Sequence, residues 1–226
     1  MDTKVSKWRD KYPLKNGVEL KFNRVLDDVF STWSHVAVMR ALYDSRQGVT
    51  GRETARISGM NHRACLKALT ELENLAIVRR QRGGRDHLFS LNRKHVLVER
   101  GVLPILGLER EFPKTLFVFL KKHLGKHVDS LIVFGSVARR EETAESDLDL
   151  CLVVGKDSLK SAARDAAHEI AASVLEQFGA KVSPLMLSRR EFAARAKRGL
   201  PPVKQIIEDG LVIAGTSMRG LTVGKS

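Results

Sequence analysis

One stretch, Leu131 to Val154 (LIVFGSVARREETAESDLDLCLVV), constrains the fold more than any other in this chain. It opens with four apolar residues, Leu131 to Phe134, and closes with a second apolar run, Cys151 to Val154. Apolar runs this short, bounded by polar turns, predict buried strands. Gly135-Ser136 follows the first run directly, and Ser146-Asp147-Leu148-Asp149-Leu150 leads into the second. Side chains alternate faces along a strand, so Asp147 and Asp149 are expected to point the same way. Two carboxylates on one face beside a Gly-Ser turn suit Mg²⁺ carrying a nucleoside triphosphate, with Mn²⁺ as the alternative ion. Mg²⁺ takes few carboxylates and keeps its other positions for water and phosphate oxygens. Gly135 lets the backbone approach phosphates closely, and Ser136 offers a hydroxyl donor.

Gly135-Ser136-Val137-Ala138-Arg139, six further residues, then Ser146-Asp147-Leu148-Asp149-Leu150 resembles the signature of the small nucleotidyltransferases of the DNA polymerase β superfamily. The resemblance covers about the last half of the chain. It implies transfer of a nucleoside monophosphate from an NTP to a hydroxyl acceptor. Asp147 and Asp149 would be the catalytic, metal-holding acids, and Gly135, Ser136, Arg139 and Ser146 would contact the nucleotide. Two departures stand out. Many members of that family have Gly directly after the Arg, where this chain has Arg140. The family also carries a third metal-binding carboxylate on a later strand. The matching segment here is Ala180 to Leu187, the expected acid position is Ser183, and the segment contains no Asp or Glu.

The first half of the chain has a different character. Net charge is +13, and residues 1–100 hold 20 Lys and Arg against 11 Asp and Glu, so most of the excess lies there. Such a balance favours a polyanionic partner, above all nucleic acid. From Ser34, Val36, Val38, Met39 and Leu42 predict an amphipathic helix capped by Ser34. Thr50 is expected to cap a second helix, with Glu53 closing a capping box, and Asn61 a third that runs to about Asn74. Ile77 to Arg80 and His87 to Leu91 then read as two strands joined by a Gly83-Gly84 tip. Helix, helix, helix, hairpin is the order of a winged helix-turn-helix. Residues 50–61 and 68–78 resemble the DNA-binding domain of small bacterial and archaeal winged-helix repressors. The resemblance implies double-stranded DNA as partner. Asn61, Arg63 and Lys67 on the third helix and Arg79, Arg80, Arg82 and Arg85 on the wing are the candidate contacts. A helix fits the major groove, and a basic wing follows the backbone or the minor groove.

The expected architecture is α+β. A basic arm (1–22) precedes a winged helix-turn-helix domain (23–95) and a helical linker (96–125). A nucleotidyltransferase-type mixed sheet with packed helices (126–216) and a frayed tail (217–226) complete it. The apolar residues of 96–125, with breaks at Pro104 and Pro113, exceed what a linker needs; they suit packing on the C-terminal domain or a homodimer surface. His123 and His127 are four apart with no Cys or carboxylate at ligand spacing, which favours a structural role over a metal site. No apolar run approaches the ~20 residues of a membrane span. The N-terminus lacks a secretory h-region, and the two cysteines, Cys65 and Cys151, form no disulfide framework; together these point to the cytoplasm. Two functions follow. One is a DNA-binding, Mg²⁺-dependent nucleotidyltransferase. The other is a transcriptional regulator whose C-terminal domain binds nucleotide or dimerises without turnover, a reading that the serine at position 183 favours.

Overall fold

The computed structural model describes residues 24–84 and 86–222. The expected basic arm and Arg85 lie outside the described residues. The chain divides into two compact units, one ending at Glu111 and the other beginning at Phe112.

The first unit runs α1 (Val25–Val29), α2 (Trp33–Leu42), β1 (Val49–Thr50), α3 (Gly51–Ser58), α4 (His62–Asn74), β2 (Val78–Gly83) and β3 (Asp86–Leu91). Side-chain caps set the helix starts by satisfying N–H groups that have no intrahelical acceptor. Thr50 Oγ1 accepts from the Glu53 amide at 3.2 Å, and Asn61 Oδ1 from the Ala64 amide at 2.8 Å. The expected cap at Ser34 is corrected to Thr32, whose backbone is extended and whose hydroxyl accepts from the His35 amide at 3.3 Å. Glu53 does not close a capping box, because both of its carboxylate oxygens are taken by Arg56. The three strands form an antiparallel sheet in the order β1-β3-β2, with β2 and β3 in register from Val78↔Leu91 to Gly83↔Asp86. Met39, Leu42, Cys65, Leu69, Leu72 and Ile77 are fully buried between helices and sheet.

Residues 96–125 do not form a free linker. A π-helical turn, Val98–Val102, leads into α5 (Leu103–Leu124) without the expected break at Pro104. Pro104 falls in the first turn of α5, where a missing N–H costs little. Val98, Val102 and Leu106 are buried in the core of the first unit, whereas Leu116, Leu120 and Leu124 are buried in that of the second.

The second unit continues with β4 (Ser130–Phe134), α6 (Gly135–Arg139), β5 (Leu148–Val154), α7 (Lys160–Phe178), β6 (Val182–Ser188), α8 (Arg189–Lys197), α9 (Val203–Asp209), β7 (Leu211–Gly215) and α10 (Met218–Thr222). The sheet order is β6-β5-β4-β7; β5 and β6 are parallel and the other pairs antiparallel. Both faces are covered, which is why β4 and β5 are apolar along their length rather than alternating. Leu131, Val133, Leu148, Leu150, Leu152 and Val154 face α7 and the end of α5. Ile132, Cys151 and Val153 face Phe192, Val203, Ile206 and Leu221 from the last three helices. Burial pushes the Cys151 thiol up to about 12, so it serves as a small core residue.

Local signals again fix the helix ends. Ser188 and Glu191 form a reciprocal capping box at the start of α8, and Gly179, with φ 68°, terminates α7. Asp157 opens a 3₁₀ turn ahead of α7 and pairs with Lys160 at 2.9 Å. The tail expected to fray from 217 carries α10, because Leu221 inserts into the core and is only 2 % exposed. His123 donates its Nδ1–H to the Phe119 carbonyl (2.9 Å) and packs on the Phe119 ring, a structural role.

Candidate functional site

The sheet of the second unit brings the motif residues together at one end of its two central strands. Phe134, the last residue of β4, pairs with Asp149 near the start of β5. Asp149 pairs on its other side with Ser183 of β6. Gly135 then turns the chain into α6 with φ +72°, a left-handed conformation that favours glycine. A Cβ on Gly135 would lie 2.3 Å from Asp149 Oδ2. The absence of a side chain at 135 is therefore what lets the Asp149 carboxylate stand against the turn.

Asp147 lies one residue before β5 and is exposed, whereas Asp149 is half-buried. Burial pushes the Asp149 carboxyl above its ordinary range; the Ser183 hydroxyl opposes that, the Asp147 charge adds to it, and Arg139 draws it back. Two close carboxylates, one of them desolvated, form a local concentration of negative charge that a cation would relieve. Among the described residues no group of three or more His, Cys, Asp or Glu is arranged to hold a metal. The donor set fits Mg²⁺ in its usual protein setting, where one or two carboxylates bind it and water and phosphate oxygens complete the shell.

The remaining motif residues are placed unequally. The Ser136 hydroxyl makes no hydrogen bond among the described residues, while its carbonyl accepts from the Glu141 amide at 3.0 Å. Ser146 is committed to the loop: its Oγ accepts from the Thr143 amide at 3.0 Å and so shapes the approach to Asp147. Arg139 is held by Glu141, Nε to Oε2 at 2.8 Å, with Asp209 of α9 at 3.9 Å. The hydrogen bond to Glu141, above all, raises its already high pKa. Arg140 occupies the left-handed region, φ 59° and ψ 39°, closing α6. The backbone there is the one a glycine adopts without strain, and this chain places an arginine in it.

In the first unit the candidate nucleic-acid residues fall into distinct environments. Arg63 is exposed without a partner among the described residues, and Lys67 lies 3.9 Å from Glu71 on the same helix. The Asn61 amide oxygen is spent on capping α4. Register separates the wing arginines. Arg80 pairs with Phe89 and Arg82 with His87, so these four share one face, while Arg79, opposite Ser90, lies on the other. Arg80 is partly neutralised by Glu73 at 3.1 Å. Arg52, His62 and His87, which the sequence does not single out, line the same region as Arg80. The spacing His62, Leu66, Thr70 along one stripe of α4, and the Arg82↔His87 pairing, are the signals that point to them.

Residues 104–187 match a family model described as "Putative nucleotidyltransferase DUF294". The matched stretch contains Gly135, Ser136, Asp147, Asp149 and Ser183, and in it the chain is similar to a nucleotidyltransferase family. Two similar solved structures are described as "Crystal structure of the toxin-antitoxin with AMP-PNP" and "Crystal structure the toxin-antitoxin MntA-HpeT mutant-D39ED41E". Each is 16 % identical with a TM-score of 0.34, covering 49 % of this chain and 80 % of the other. No curated protein matches the chain. Among the described residues, no helix is long and apolar enough to cross a membrane.

Proposed function

We propose that this protein is a DNA-binding nucleotidyltransferase, which moves a nucleoside monophosphate from an NTP to a hydroxyl acceptor. The observation that carries the reading is the contact between the Gly135 turn and Asp149, which sets a half-buried carboxylate beside Asp147 and leaves Ser136 uncommitted. Asp147 and Asp149 are the residues that would hold Mg²⁺ or Mn²⁺. The ion supplies charge neutralisation for the triphosphate and lowers the pKa of an acceptor hydroxyl. Within the chain, the Gly135 backbone and the Ser136 hydroxyl bind phosphate oxygens. Arg139 exchanges Glu141 for the negative charge of the phosphates. Ser146 holds the loop that presents Asp147.

The first unit contributes duplex binding. Helices α2, α3 and α4 and the antiparallel hairpin support a winged helix-turn-helix reading, with Arg63 and Lys67 of α4 and Arg80 and Arg82 of the wing toward DNA. Exposed Ile105 and Leu108, three apart on α5, support homodimerisation, which matches two-fold symmetric sites. One observation favours a second reading, a transcriptional regulator whose C-terminal domain binds nucleotide without transfer. Ser183 stands beside Asp149 where a third acid would assist deprotonation of the attacking hydroxyl. Incubation with each α-labelled NTP and Mg²⁺, with and without cell extract, separates the two. Label on a macromolecule that disappears with Asp149→Asn supports transfer; Mg²⁺-dependent nucleotide binding with no label in any condition supports the regulator.

A further inference from the structure

The first unit contains a cleft of about 380 Å³ between α3, α4 and the β2–β3 hairpin. Leu66, Phe89 and Gly51 meet at its floor: a Cβ on Gly51 would lie 2.8 Å from Leu66 Cδ2 and 3.6 Å from Phe89 Cε2. Arg52, His62, Arg80 and His87 line its walls. Among the described residues, Asp86 is the one acidic residue that lines it. Arg80 is shared with Glu73, but Arg52, His62 and His87 have no hydrogen-bond or ion-pair partner among the described residues. By contrast, Arg56, on the same helix as Arg52, spends its guanidinium on Glu53.

Three uncommitted nitrogen donors therefore converge from three separate elements on a concave, apolar-floored space. An arginine fork and an imidazole N–H, which donates in either protonation state, suit the oxygens of a phosphodiester. The small Gly51 lets the Leu66 side chain pack against the start of α3. Resting on the reading of the first unit as a duplex-binding domain, we infer that this cleft seats a backbone phosphate of the bound DNA. Arg52, His62 and His87 grip it from α3, α4 and β3. The phosphate fixes the depth of α4 against the duplex, a contact that positions the helix without reading bases.

The test is fluorescence-anisotropy binding of the full chain to a labelled duplex across a salt series. Each neutralised phosphate contributes about 0.9 to the slope of log K against log[salt], a loss of roughly eightfold in affinity at ~0.1 M salt when one contact is removed. Arg52→Ala is expected to lower the slope by about one, and His62→Gln and His87→Gln to weaken binding with a smaller change in slope. Arg100→Ala, in the π-helical turn ahead of α5 and lining no part of the cleft, removes the same charge as Arg52→Ala and is expected to leave the slope close to wild type. Thermal melts of each variant confirm that it folds; Arg52→Lys, which keeps the charge without the fork, serves where Arg52→Ala does not. Wild-type binding weakened by Arg63→Ala and Arg82→Ala but untouched by Arg52→Ala and His87→Gln would overturn the cleft assignment alone. Equal losses from Arg100→Ala and Arg52→Ala would also overturn it, since charge anywhere would then suffice. No salt-dependent binding by the wild type would overturn the duplex-binding reading itself.

Discussion

Replacing Gly135 by Ala tests the nucleotide site at the atom on which it depends. Two costs are separable. The first is conformational: φ at Gly135 is +72°, and a Cβ in the left-handed region costs about 1–2 kcal/mol. The second is steric and local, since the new Cβ would stand 2.3 Å from Asp149 Oδ2, well inside van der Waals contact. Asp149 must swing by roughly 1 Å, and a misplacement of that size in a constellation of reacting groups costs about a hundredfold. Gly179→Ala provides the control. Its φ is +68°, and a Cβ there meets nothing within 4 Å, so it carries the first cost without the second. Urea denaturation should show both variants destabilised by a similar ~1 kcal/mol, with any excess in Gly135→Ala reporting the clash. Calorimetric titration with Mg·NTP should show Gly179→Ala binding like wild type and Gly135→Ala at least about tenfold weaker, or ~1.4 kcal/mol. Wild-type nucleotide affinity in Gly135→Ala would refute the argument that this turn sets the position of Asp149.

Four further outcomes follow from the same geometry. Arg140→Gly relieves a non-glycine residue at φ 59° and should raise stability by roughly 0.5–1 kcal/mol; a lowered Tm would show that the arginine side chain compensates. Glu191→Ala removes half of a capping box and one of the two carboxylate partners of Lys160, and should cost about 1 kcal/mol at pH 7. The hydrogen bond from Lys160, then that from the Ser188 amide, holds the Glu191 carboxyl below its ordinary range. Its contribution is therefore full above the unfolded value and is lost as pH falls through the folded one. The gap between wild type and Glu191→Ala in urea melts should close on acidification below the ordinary carboxylate range, and a gap independent of pH would argue against it. Leu108→Lys, at a position 72 % exposed, should leave the fold intact and shift sedimentation toward monomer; an unchanged profile removes α5 from any dimer interface. Ser183→Asp places a third carboxylate beside Asp149 and should tighten Mg²⁺ binding, with labelled-NTP assays reporting whether transfer rises; unchanged Mg²⁺ affinity would mean that position 183 does not address the metal site.

What the sequence made legible was whatever depends on short-range chemistry. The two apolar runs around the motif became β4 and β5 because continuous hydrophobicity over five to seven residues suits a strand buried on both faces. The Ser188–Glu191 pair became a capping box because its partners are three residues apart. Misreadings came where two local signals compete. Thr32 and Ser34 are both able to cap α2, and only the extended backbone at Thr32 decides. Pro104 reads as a helix break, but in the first turn after a π-helical turn it breaks nothing. Leu221 reads as part of a polar tail, and its burial depends on a groove built by residues far earlier in the chain.

The candidate sites divide along the same line. Spacing placed Asp147 and Asp149 together and register put Ser183 beside Asp149, since a parallel neighbour strand needs only its starting residue to align. The wing could not be resolved that way. A run of basic residues from Arg79 to Arg82 carries no mark of which face each one takes, and a shift of one residue exchanges the faces entirely. The pairing of Arg82 with His87 settles the phase: Arg80 and Arg82 turn toward α4, and Arg79 turns away. Once that phase is known, a count of arginines no longer selects the groups that line the cleft beside α4. Arg52 and His87 line it, and they come from elements that carry no charged run in the sequence.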